Sequence, residues 1–267
     1  MDYVQPKKHL GQHFLRNDSI CADIAAAITF HGQYTHVLEV GPGMGALTRH
    51  LKPLNTSLQV VEIDRESVQY LLQSRLLEPD QILSEDFLRM NLTERFSAPL
   101  AVVGNFPYNI SSQIVFKVLE HKDLVHELVG MFQKEVAERF ATGPGSKEYG
   151  VTSVLAQAYY DIEYLFTVHE HEFIPPPKVK SGVIRMRRKF NHDIGCSEKK
   201  LRLVVKTAFN QRRKTLSNSL KSLLTPDVDK SLPVFKQRPE QLSVEEFVAL
   251  ANLILPDSPI ESPHQAQ

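Results

Sequence analysis

The chain has 267 residues, 42% of them apolar and 23% charged, which is enough apolar material for a buried core and excludes disorder over most of its length. No apolar run approaches the ~20 residues that cross a bilayer. Residues 1–12 are polar and basic rather than a secretion signal, and two distant cysteines, Cys21 and Cys196, exclude a disulfide framework or a cysteine-rich zinc site. A reducing cytoplasm is the expected home.

Strand-like and helix-like segments alternate through the first two thirds. Residues 35–40 form a short apolar run ended by glycines, and 46–51 read as the helix after it. Residues 58–63 are β-branched and apolar, and 66–77 follow at helical spacing. Strands are expected at 81–84, 100–104 and 124–132. Between the last two, a helix over 111–120 has Ser111 or Ser112 able to cap its start. Residues 134–140 are helical up to the loop Thr142-Gly143-Pro144-Gly145. A helix over 151–160 precedes strands at 162–169 and 179–187. The alternation implies a mostly parallel α/β sheet covered on both faces.

The last third changes character. Residues 199–224 read as one helix, with Leu201, Val204, Val205, Ala208, Leu216 and Leu220 as its apolar stripe. Residues 243–255 form another, opened by a Ser243/Glu246 capping box. The tail after Pro256 is expected to fray. The division is therefore an α/β domain over residues 1–190 and a small all-helical domain over 191–267. The net charge of +0 hides an asymmetry: residues 175–221 hold fourteen basic residues against Asp193 and Glu198. Such a field suits a polyanion, and Lys178, Lys180, Arg212, Arg213 and Lys214 are the candidate contacts.

The chemistry gathers at the strand ends. Leu38-Glu39-Val40-Gly41-Pro42-Gly43-Met44-Gly45 follows one strand and opens a helix, so Gly41 permits a sharp turn and close approach of a ligand. The spacing is neither the dinucleotide pattern G-x-G-x-x-G nor a phosphate-gripping loop. Glu62, at the end of the next strand, sits where an acid grips ribose hydroxyls in doubly wound sheets. Asp86, after the third, can accept an adenine amino group. An adenosine without phosphate fits these acids, and S-adenosylmethionine is that ligand; no metal is called for. Asn105-Phe106-Pro107-Tyr108 ends the fourth strand and resembles the Asn/Asp-Pro-Pro-Tyr/Phe signature of methyltransferases that act on exocyclic base amines. Such an amine is a poor nucleophile because its lone pair is delocalised. The Asn105 side-chain oxygen and the Pro107 carbonyl could each accept one N–H and aim the lone pair at a methyl ~3 Å away. Tyr108 would stack on the extruded base.

Together with Lys8-His9-Leu10-Gly11-Gln12-His13-Phe14-Leu15, Phe173-Ile174-Pro175-Pro176-Pro177-Lys178-Val179-Lys180-Ser181 and Phe209-Asn210-Gln211-Arg212-Arg213-Lys214-Thr215-Leu216, these motifs resemble the KsgA (RsmA) family of small-subunit rRNA adenine N6,N6-dimethyltransferases over nearly the whole chain. The resemblance implies a Rossmann-like class I methyltransferase sheet. It also implies cofactor contacts at His13, Leu15, Gly41, Glu62, Asp86 and Asn105, and Phe173 as a second aromatic beside Tyr108. Phe106 departs from the commoner Leu. The implied substrate is two adjacent adenosines in the 3′-terminal hairpin loop of 16S rRNA, within an immature 30S subunit, and the enzyme is expected to be a monomer. Three other readings compete: an Erm-type 23S rRNA methyltransferase sharing the catalytic half, a non-catalytic assembly factor on the same fold, and an NAD-dependent oxidoreductase. The glycine spacing and Asn105-Phe106-Pro107-Tyr108 oppose the last.

Overall fold

A computed structural model describes residues 4–54, 56–190 and 193–256. The tail expected to fray lies outside these residues, as does Asn191 at the expected domain boundary. The chain divides into two compact units, Met1–Ala141 with Tyr159–Phe190, and Thr142–Ala158 with Asn191–Gln267. Residues 142–158, read in the sequence as part of the first domain, thus cluster with the C-terminal unit.

Among its described residues the first unit has nine strands: β1 (Phe14–Leu15), β2 (His36–Val40), β3 (Ser57–Val61), β4 (Ile82–Leu83), β5 (Leu100–Asn105), β6 (Val125–Gln133), β7 (Tyr160–Val168), β8 (Phe173–Ile174) and β9 (Ser181–Arg188). Seven of them form one sheet in the order β4-β3-β2-β5-β6-β9-β7. The pairs β4-β3, β3-β2, β2-β5 and β5-β6 are parallel, whereas β9 runs antiparallel to both β6 and β7. Residues 100–104 of β5 are all buried, so both sheet faces are covered at the centre. The order reverses between β2 and β5, and ligands of open α/β sheets bind beyond the carboxyl ends of strands at such a switch point. The seven expected strands are present, displaced by one or two residues at their ends.

Phe106 explains why the fourth strand end tolerates a ring larger than Leu. It is 1% exposed and lies over Gly130 of β6, where an added Cβ would come within 2.1 Å of the ring. The helix Ser111–Glu120 starts where the sequence places it, but neither serine caps it. Ile110 holds the N-cap position, and the Ser111 hydroxyl instead donates to the Tyr108 carbonyl at 3.2 Å. Two features gave no local signal: the helix Asp18–Ala26, capped by Asn17, and the antiparallel pair β1-β8, which joins residues 158 and more positions apart.

In the second unit the apolar stripe is buried as expected, with Leu201, Val204, Val205, Ala208, Leu216 and Leu220 all fully covered. The expected single helix is nevertheless two, Glu198–Asn210 and Leu216–Ser219. Between them Lys214 N–H closes a turn on the Gln211 carbonyl, and the Leu216 N–H goes to the Gln237 carbonyl rather than to the preceding turn. The expected helix over 151–160 also ends early, at Gln157, because Tyr160 enters β7 and pairs with Arg188. Helix Val244–Ile254 carries the Ser243/Glu246 capping box read from the sequence.

Candidate active site at the carboxyl ends of β2 to β5

A crevice opens at these strand ends. Of the residues singled out in the sequence, His13, Gly41, Glu62, Asp86, Asn105, Pro107 and Tyr108 line it. Gly41 has φ +72°, a left-handed conformation that side chains other than glycine strain to adopt. A Cβ there would meet nothing nearer than the Pro107 ring at 3.9 Å, so the backbone lies open to a ligand at this point.

Glu62 is 5% exposed. Its carboxylate accepts the Gly43 N–H at 3.1 Å and the Asp64 N–H at 2.9 Å. Burial pushes its pKa above the usual carboxylate range, and these backbone N–H groups oppose that rise. Asp86 is half-buried, accepts the Leu88 N–H at 2.9 Å and faces the Arg89 guanidinium at 3.5 Å. A carboxylate has about four lone-pair positions, so each acid retains acceptors for a ligand. Ile63, between two acids, is 53% exposed and lines the crevice with Leu88, giving an apolar surface for a flat ring. An open glycine turn, two partly unsatisfied acids and this surface fit an uncharged adenosine moiety.

Asn105 ends β5. Its amide donates to the His13 carbonyl at 2.8 Å, which orients the side chain and leaves its oxygen as the acceptor. The Pro107 carbonyl accepts the Ile110 N–H at 3.1 Å, so one of its two lone pairs is already used. The Tyr108 hydroxyl shares a 2.6 Å hydrogen bond with Ser181, and burial raises its pKa. Its ring stacks on that of His13, with centroids 5.4 Å apart and planes at 26°.

Two expected contacts lie elsewhere. Leu15 (6% exposed) and Phe173 (2% exposed) are opposed across β1-β8 and belong to the hydrophobic core. Neither lines the crevice; the ring beside Tyr108 is His13, because β1 and β8 turn these two side chains inward. The sequence reading also passed over Gln12, Phe14, Ile63 and Asn109, all of which line the crevice. Ile63 was hidden because it reads as the last apolar residue of the strand expected over 58–63, whereas that strand ends at Val61 and leaves Ile63 exposed.

The basic stretch disperses. Arg188 is 2% exposed and donates to the Lys122, Tyr159 and Lys189 carbonyls. Arg185 and Arg187 both pair with Glu163. Arg212 donates to the Ser146 carbonyl at 3.0 Å, within the second unit. Lys178, Lys180, Arg213 and Lys214 are exposed. Among the described residues, no cluster of His, Cys, Asp or Glu is placed to hold a metal, and no helix is long and apolar enough to cross a membrane.

A profile of the ribosomal RNA adenine dimethylase family matches residues 4–254. The chain belongs to this family. It is 56% identical over 260 residues to a Flavobacterium johnsoniae protein named ribosomal RNA small subunit methyltransferase A, covering 96% of this chain and 98% of that one. A Cytophaga hutchinsonii protein of the same name is 53% identical over 255 residues, covering 95% and 99%. Among solved structures, a dimethyladenosine transferase from Plasmodium falciparum shares the fold with a TM-score of 0.74 at 24% identity, covering 89% of this chain and 96% of that one. The 23S rRNA methyltransferase ErmE does so with a TM-score of 0.70 at 24% identity, covering 90% and 99%. The fold is that of a Rossmann-like class I methyltransferase.

Proposed function

We propose that this family member dimethylates N6 of two adjacent adenosines in the 3′-terminal hairpin loop of 16S rRNA, within an immature small subunit, using S-adenosylmethionine. The observation that carries the reading is Asn105, whose oxygen is held as a free acceptor in the same crevice as Glu62 and Asp86. The two relatives named for the small subunit, similar over almost their full length, support the choice of subunit.

S-adenosylmethionine supplies an electrophilic methyl on a sulfonium. The residues of the chain do the rest. Glu62 accepts the ribose hydroxyls and Asp86 the adenine amino group. Asn105 Oδ1 and the second lone pair of the Pro107 carbonyl each accept an N–H of the target amine, which turns its lone pair out of conjugation. Tyr108, fixed by Ser181, offers a ring face to the unstacked base. Transfer leaves a positively charged amine that readily sheds its proton, so no strong base is required. The exposed lysines and arginines contact phosphates and set register without reading sequence. The site of action is the cytoplasm and the acting form a monomer.

The test is incubation with labelled cofactor and small subunits that lack the modification, followed by primer extension. Stops at two adjacent adenosines in the 3′-terminal loop are expected. Label confined to large-subunit RNA, or none in RNA, overturns the reading.

A further inference from the structure

Asp64 lies two residues beyond Glu62, caps helix Arg65–Ser74 through the Glu66 N–H, and is 3% exposed. A cap needs one acceptor oxygen, yet this carboxylate collects further donors. Ser67 Oγ donates at 3.1 Å and Gln12 Nε2 at 3.2 Å, and Lys7 Nζ forms a short ion pair with it. Lys7 and Gln12 belong to a loop more than fifty residues away in sequence. That loop is closed on itself by the Lys7 N–H donating to Gln12 Oε1 at 2.8 Å. The residues that follow, through Phe14, form one wall of the crevice. The wall fits closely over the catalytic turn, since a Cβ on Gly11 would come within 2.6 Å of Asn109 Oδ1. On its other side, the Asp64 N–H donates to Glu62 at 2.9 Å.

From this geometry we infer that Asp64 is a positioning residue of the cofactor site, a latch that binds the N-terminal wall through Lys7 and Gln12 while orienting Glu62. The physical reason is compensation. A buried carboxylate without a cation is costly, and the cation is delivered only when the wall is seated. Burial by itself would push the Asp64 carboxyl up, but Lys7 and Gln12, with the Glu66 N–H and Ser67, hold it below the usual carboxylate range. The Asp64 carboxylate therefore holds the wall while the Asp64 backbone N–H holds Glu62, so one residue ties the two together. The inference rests on the crevice being the cofactor site.

Two variants separate the latch from the cap. Asp64→Asn keeps an oxygen able to cap the helix but loses the ion pair, and Lys7→Met leaves Asp64 untouched. Binding of S-adenosylhomocysteine by calorimetry is expected to weaken ~10-fold in each, and by clearly less than the product of the two losses in the double variant, because both remove the Lys7–Asp64 pair although Lys7→Met also removes the 3.0 Å Lys7–Glu66 pair. Lys7→Arg is expected to restore affinity to within ~2-fold of wild type. In hydrogen exchange, amides over residues 8–14 are expected to exchange faster in Lys7→Met than in wild type, with melting temperature reported alongside. In kinetics the loss falls on KM for the cofactor more than on kcat. Variants that bind as wild type does, with unchanged exchange over 8–14, overturn the latch. So does a double variant whose losses add. A wild-type protein that fails to bind S-adenosylhomocysteine overturns instead the cofactor reading beneath it.

Discussion

The loops at the carboxyl ends of β2 to β5 and the basic stretch of residues 175–221 look alike in the sequence, as local concentrations of polar and ionisable groups, yet folding treats them in opposite ways. The loops converge: Gly41, Glu62, Asp86 and Asn105 come from four separate segments and share one crevice. The basic stretch disperses. Arg188 is buried, Arg185 and Arg187 are spent on Glu163, and Arg212 on Ser146. The difference lies in what fixes each group. A residue at the end of a parallel strand is placed by the strand's register, and parallel strands end on one rim. A cationic side chain along an antiparallel strand alternates faces with every residue, so charges adjacent in sequence part in space.

Asn105 and Arg188 set the comparison at its sharpest, since each ends a strand. Asn105→Ala is expected to leave binding to small subunits intact while dimethyladenosine formation falls ~10³-fold or more, as when a group acting only in the transition state is lost. Quantified primer extension checks it, and a near-normal yield removes Asn105 from the chemistry. Arg188→Met is expected to behave inversely. It leaves the Lys122 and Tyr159 carbonyls without this donor and costs ~3 kcal/mol of stability. It does so without changing the salt dependence of subunit binding. Urea melts measure the first and filter binding the second.

A smaller effect concerns the acid that precedes the glycine turn. Glu39, in the middle of β2, is 1% exposed and accepts the Thr48 hydroxyl at 2.7 Å; burial pushes its pKa up to about 8. Because the folded state holds this proton more tightly than the unfolded chain does, Glu39 contributes full stability below the unfolded value near 4.5. It loses that contribution as pH rises toward 8. Glu39→Gln keeps an acceptor for Thr48 and has no proton to lose. The variant is expected to flatten the fall in melting temperature between pH 5 and 8, and to gain ~1–2 kcal/mol over wild type at pH 8. Parallel profiles for the two proteins would show that the carboxyl is ionised at pH 7.

The sequence made the strand ends legible because a buried strand announces itself by composition and a glycine or proline marks where it stops. What stayed hidden depends on pairings across long separations. Phe14 meets Ile174, and Leu15 meets Phe173, through strands of two residues each, too short for any periodicity. That pairing is why Phe173 is a core residue although its neighbouring motif suggested a ring beside the base. Lys7 and Asp64 gave no joint signal either, being an ordinary basic residue and an ordinary helix cap until the fold brings them together. The apolar stripe of 201–220 lapses over residues 210–215, all polar, and that gap marked the turn that the Lys214–Gln211 and Leu216–Gln237 hydrogen bonds close.

The smallest expected effect tests whether dispersal of the basic stretch is real. Withdrawing one cation from a phosphate lowers the slope of log affinity against log salt by about 0.7–0.9. If sequence clustering decided the matter, neutralising any two of the cations would cost the same. The structure instead ranks them. Arg213→Ala with Lys214→Ala, both exposed on the turn between Glu198–Asn210 and Leu216–Ser219, is expected to reduce the slope by about 1.5 with little change in melting temperature. Arg185→Gln with Arg187→Gln is expected to leave the slope alone, since both guanidinium groups already face Glu163. Arg212→Ala belongs with the second pair although it adjoins Arg213. Its guanidinium is committed to the Ser146 carbonyl, so its loss lowers melting temperature and spares the slope. Equal slopes for all three variants would return the basic stretch to a single undivided surface.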